Sequence, residues 1–124
     1  MLDLSTIKVV QKDWGTQVWL NDYEMLMVMH AGGETSMHKH HYHDSELWLM
    51  SGNASVRIGC GYSVPLVVDD AIPIAVENTH QVRANIPSII YERYIPVAGT
   101  SVKPCDDIER FWKGSHANND YAHW

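Results

Sequence analysis

Apolar residues along this chain fall into short runs bounded by glycine, proline and aspartate, and most of the runs carry the period of a strand. Residues 24–30, Glu24 to His30, enclose an apolar run and are of strand length, with Met25, Met27 and Met29 at alternate positions. Residues 47–50 form another apolar run, closed by the turn Ser51-Gly52-Asn53. Val56 and Ile58 alternate with Ser55 and Arg57, as expected of a half-buried strand. After the turn Gly59-Cys60-Gly61 come runs at 64–68 and 71–76, divided by Asp69-Asp70. Residues 89–95 are β-branched and aromatic, interrupted by Glu92 and Arg93. Prolines 65, 73, 87 and 96 suit strand starts and edges better than central ladders. Short strands at this spacing predict an all-β sandwich or barrel. Only residues 106–113 read as a short C-terminal helix, with Asp106 as N-cap and Gly114 as stop.

Composition narrows the class. The chain has 124 residues, 45% of them hydrophobic, which suits a single domain with a real core. That domain is expected to span residues 1–124, with the barrel at about 13–98 and the helix and tail at about 106–124. A net charge of −6 argues against nucleic acid as the main partner, because phosphate backbones demand a basic face. The longest apolar run, residues 25–29, is too short to span a membrane. The first residues lack the basic-then-apolar pattern of a secretory signal, so a cytoplasmic protein is expected. Cys60 and Cys105 form no CxxC pair and suggest no disulfide scaffold.

The candidate chemistry lies in the histidines. Four of the eight, His38, His40, His41 and His43, lie within six consecutive positions, and Glu46 follows. In an extended segment residues two apart share a face, so His38 pairs with His40 and His41 with His43. Either pair offers two converging imidazoles. Imidazoles joined by a carboxylate suit Zn²⁺, Fe²⁺, Mn²⁺, Ni²⁺ or Co²⁺ without choosing among them.

The pattern Gly32-x5-His38-x-His40-x5-Glu46-x5-Gly52 resembles the first motif of the cupins, and Pro73-x-Ala75 followed by His80 resembles the second. The interval from His40 to Glu46 is one residue longer than usual in that motif. The resemblance implies a cupin double-stranded β-helix, or jelly-roll barrel, with His38, His40, Glu46 and His80 on one divalent metal. His43 is then a reserve ligand or a group that orients one. Within the cupins the chain is similar to the type II mannose-6-phosphate isomerase domain. That likeness rests on Trp14-Gly15, Glu46-Leu47-Trp48, Ser51-Gly52-Asn53-Ala54-Ser55-Val56, Ile72-Pro73, His80, Glu92, and Asp106-Asp107-Ile108-Glu109-Arg110-Phe111.

The likeness implies an aldose–ketose isomerase acting on a sugar or sugar phosphate, a carbohydrate as small-molecule partner, and a homodimer. Glu92 is the candidate general base if its strand points it into the barrel. Arg57, Arg83, Arg93 and Lys39 are candidate anion contacts. Asp107 and Arg110 are expected to fix the final helix, Trp14 and Trp19 to pack, and the three methionines to form core or interface. The competing readings are another metal-dependent cupin enzyme, a dioxygenase or lyase, and a non-catalytic sugar-binding or regulatory cupin.

Overall fold

The computed structural model describes residues 4–59 and 62–112. The strands are β1 (Lys8–Lys12), β2 (Gly15–Trp19), β3 (Glu24–Met29), β4 (Met37–Lys39), β5 (His43–Ser51), β6 (Ala54–Ile58), β7 (Tyr62–Pro65), β8 (Ile72–Ile74), β9 (His80–Ala84), β10 (Ser88–Pro96) and β11 (Glu109–Trp112). They form two antiparallel sheets, of order β1-β2-β3-β10-β5-β8 and β11-β4-β9-β6-β7. Neighbours such as β3 and β10, or β4 and β9, are far apart in sequence, so the chain crosses repeatedly between sheets, as a jelly roll does. Among the described residues no helix is long and apolar enough to cross a membrane.

Alternation decides what each strand buries. On β3 the side chains of Met25, Met27 and Met29 are buried while Glu24, Leu26 and Val28 face outward. Each such buried methionine stabilises the fold by roughly 1.5–3 kcal/mol. They meet Leu47, Leu49, Val56, Val82, Ala84 and Ile90 in one core between the sheets, with Trp14 and Trp19 in the same cluster as expected. Gly15 opens β2 pressed against β3: a Cβ there would lie 2.0 Å from the Val28 carbonyl oxygen, and its φ is +148°.

The interior is graded from apolar to polar along the strands. β5 and β10 pair antiparallel, with Glu92 opposite Leu47 and Tyr94 opposite Ser45. Inward positions therefore run from Leu49 and Ile90 at one end to Ser45, His43, Glu92 and Tyr94 at the other. The polar end is where the site lies.

The C-terminal helix is corrected. Pro104–Asp106 form a single 3-10 turn whose N-cap residue, Lys103, gives no side-chain capping bond. A short isolated helix is marginal in water. The edge of β4 offers unpaired backbone groups instead, and residues 109–112 take them as β11, with Glu109 opposite Lys39 and Arg110 opposite His38. Residues 113 and 114, and the tail beyond, lie outside the described residues.

Candidate metal centre

β4 carries His38 on its inner face, and its cross-strand partner on β9 is His80. Directly opposed residues in a sheet are close neighbours on one face. His40 follows two positions after His38 and returns to the same face. The three rings stand 4.3–5.3 Å apart between centroids, and their candidate ligand nitrogens lie within 4.8 Å of one another. All three residues are buried.

Each ring is held by a backbone carbonyl. His38 Nδ1 donates to Ser36 O at 2.7 Å, His40 Nδ1 to Asp107 O at 2.6 Å, and His80 Nδ1 to Asn78 O at 3.0 Å. A carbonyl can only accept, so the proton sits on Nδ1 and every Nε2 keeps its lone pair. Burial, with the neighbouring imidazoles adding to it, holds His38 well below the usual histidine range and His80 at about 4. Both are therefore neutral at pH 7, the form that binds metal. The Nε2 atoms of His40 and His80 are buried with no protein partner. Orphaned acceptors of this kind are rare and call for an explanation. Three converging lone pairs fit a divalent ion, with Zn²⁺, Fe²⁺, Mn²⁺, Ni²⁺ and Co²⁺ all compatible.

The structure does not bring Glu46 to this cluster. On β5 the inward residues are His43, Ser45, Leu47 and Leu49, so Glu46 and Trp48 face outward. There Glu46 accepts hydrogen bonds from the Arg93 guanidinium, which also lies over the Trp48 ring. The physical reason is the extra residue between His40 and Glu46, since a slip of one position moves a strand side chain to the opposite face. The inward carboxylate is Glu92, on the inner face of β10 and lining the same cavity as His38 and His40. Burial pushes its carboxyl up, opposed by His40 and by the Tyr94 hydroxyl, which donates to Oε1 at 2.8 Å. Its Oε2 is buried without a partner.

His41 and His43 do not share a face, contrary to the alternation expected of them, because residues 40–42 turn between β4 and β5. His41 points outward between the carboxylates of Glu77, at 2.7 Å, and Glu109, at 2.9 Å. Those two hydrogen bonds hold its pKa above the ordinary value, favouring the cation that cannot bind metal. His43 points inward, fully buried, and donates from Nδ1 to Asp107 Oδ2 at 2.7 Å. Its ring stands edge-on to Tyr94, apart from the three-histidine group.

Asp107, expected to fix a final helix, instead organises the turn that carries the histidines. Its carboxylate accepts the backbone N–H groups of His41 and Tyr42 at 2.8 Å as well as the His43 imidazole. Burial would raise its carboxyl, but those hydrogen bonds outweigh it and hold the pKa below the ordinary value. The partners are more than 60 positions away in sequence, so no local pattern marks them. The period of β10 did hold a signal for Tyr94, which lies two positions from Glu92 and so shares its face.

The cavity at this end measures about 550 Å³. Trp14, Trp19 and Tyr94 give it aromatic walls, and Lys12 and Arg110 belong to its lining. Of the expected anion contacts Arg57, Arg83, Arg93 and Lys39, none belongs to this lining; Arg83 pairs with Glu34 at 3.1 Å and Lys39 with Glu77 at 3.1 Å.

No protein-family model and no curated protein matches this sequence. Solved structures do resemble it. The capsular polysaccharide assembling protein CapF from Staphylococcus aureus superposes with a TM-score of 0.68 at 14% identity, over 86% of this chain and 32% of CapF. Oxalate decarboxylase from Bacillus subtilis, a protein with Mn(II) centres, gives 0.63 at 12% identity over 86% of this chain and 30% of its own. KdgF from a Halomonas species gives 0.55 at 18% identity over 73% and 78%. The chain thus spans about a third of the first two and most of the third. The two antiparallel sheets, their strand order and these neighbours together give the chain the cupin fold.

Proposed function

We propose that this protein is a metal-dependent enzyme acting on a small carbohydrate, with His38, His40 and His80 holding the metal and Glu92 moving a proton. The finer reading is aldose–ketose isomerisation of a sugar or sugar phosphate. The observation that carries it is Glu92, a buried carboxyl held above its ordinary pKa in the cavity that His38 and His40 line. A buried carboxyl beside the candidate metal ligands is placed to accept a substrate proton and return it. Tyr94 fixes one of its oxygens and leaves the other facing inward. A bound divalent ion would polarise substrate oxygens at the same end of the barrel. Trp14 and Trp19 present flat apolar faces against which a sugar ring packs, and the likeness over residues 13–112 supports the isomerase reading.

Metal-loaded protein incubated with mannose 6-phosphate and a panel of aldoses tests this. Ketose formation should fall at least about 100-fold in Glu92→Gln while the metal content stays unchanged. No ketose above the Glu92→Gln level rejects isomerisation. Oxygen uptake by the iron-loaded protein would favour a dioxygenase, and sugar binding indifferent to metal removal a non-catalytic cupin. A homodimer belongs to the same reading. Val28 and Met50, exposed at 40% and 55% on the outer face of the six-stranded sheet, support it, and sedimentation velocity checks it.

A further inference from the structure

The cationic side chains of the cavity are placed in a way the proposed chemistry does not use. Arg110, on β11, stands directly opposite His38 in the sheet and so shares its inner face. Lys12, the last residue of β1, reaches the same cavity from the other sheet. Among the described residues neither forms an ion pair, whereas Lys39, Arg83 and Arg93 all do. Arg110 presses on Lys12: burial, and then this neighbouring guanidinium, hold the ammonium below its ordinary value. Asp13 and Glu92 line the cavity as well, and Glu92 is held by the Tyr94 hydroxyl. Two like charges that converge on one cavity, neither of them in an ion pair among the described residues, form a site that a small anion completes.

We propose that Lys12 and Arg110 bind the anionic group of the cavity's ligand, which makes the substrate a phosphate monoester or a hydroxy-carboxylate rather than a neutral sugar. This deepens the preceding reading and rests on it for the identity of the cavity as the substrate site. A guanidinium gripping two oxygens and an ammonium supplying a point charge suit both chemistries. The carbon skeleton would then lie between this pair and the three histidines, along the aromatic walls.

Trp14 and Trp19 line the cavity, so fluorescence quenching reports occupancy. The probes are inorganic phosphate, tartrate and neutral mannose, titrated into the full chain. Phosphate or tartrate should bind, mannose far more weakly. Lys12→Gln and Arg110→Gln should each weaken anion binding roughly 10- to 100-fold, and Lys12→Arg should restore most of it. Stronger phosphate binding assigns a phosphate ester, and stronger tartrate binding a hydroxy acid. Because either anion could also ligate a metal directly, the series is repeated in metal-free His80→Ala protein. Retention of anion binding there, with its dependence on Lys12 and Arg110, supports the site even if no turnover is found. Anion affinities unchanged in both glutamine variants, or no anion binding at millimolar concentration, overturn it. Circular dichroism of each variant confirms that loss of binding is not loss of fold.

Discussion

Asp107→Ala is the substitution whose cost follows most directly from the geometry. The carboxylate, with a side chain only 1% exposed, takes three donors: the N–H of His41, the N–H of Tyr42 and the Nδ1–H of His43. Removing it leaves all three without a protein acceptor. Tyr42 is 46% exposed, so water can reach the two backbone groups, and each then costs about 0.5–1 kcal/mol. His43 is fully enclosed and loses a charge-assisted bond, which costs about 1.5–3 kcal/mol. The expected loss is about 2.5–5 kcal/mol, or a drop in Tm of about 10–20 °C for a domain of this size. Thermal and urea unfolding at pH 7 in the presence of a chelator measure it. Asp106→Ala, at the exposed neighbouring position, serves as control and should stay within about 0.5 kcal/mol of the parent. A loss below about 1 kcal/mol for Asp107→Ala would show that the turn holds itself, and that the carboxylate is not what orders residues 40–43.

Other expectations follow from the same coordinates. Metal analysis should find Glu46→Ala as loaded as the parent and His80→Ala depleted at least about 10-fold, since only the second removes an inward nitrogen; equal depletion in both would reinstate Glu46 as a ligand. In the metal-free protein the unfolded chain takes up a proton at His80 below its ordinary value near 6.5, while the folded chain resists until about 4. Stability should therefore fall by about 3 kcal/mol as pH drops through that window. His80→Gln should lack that component in urea titrations, and identical slopes would contradict it. Arg83→Met removes the guanidinium that Glu34 pairs with in the interior and should cost about 3–5 kcal/mol, largely recovered when Glu34→Leu is added; additive losses in the double variant would argue against a coupled pair. Gly15→Ala forces a Cβ onto the Val28 carbonyl at an unfavourable φ and should lower stability by at least about 2 kcal/mol in denaturant unfolding. An unchanged midpoint would mean that the β2–β3 contact yields freely.

The sequence alone determined the all-β class, because alternation at Met25, Met27 and Met29 and at Val56 and Ile58 is a local property of a half-buried strand. It also put His38 and His40 on one face, which needs only a short extended segment, but offered His41 and His43 equally; the resemblance preferred the first pair and added His80. It did not determine which carboxylate faces inward. Glu46 and Glu92 both lie on long strands, and the choice turned on one residue of register between β4 and β5, which the turn at 40–42 sets. That turn is tied down by Asp107, from the far end of the chain. Likewise, nothing local to residues 109–112 announces a strand; they become one because β4 presents an open edge. The cation pair of Lys12 and Arg110 has the same origin, since only the closing of two sheets brings β1 and β11 to one cavity. Period and composition are short-range and legible, whereas facing, register and convergence depend on contacts across more than 60 positions, and those exist only once the barrel has closed.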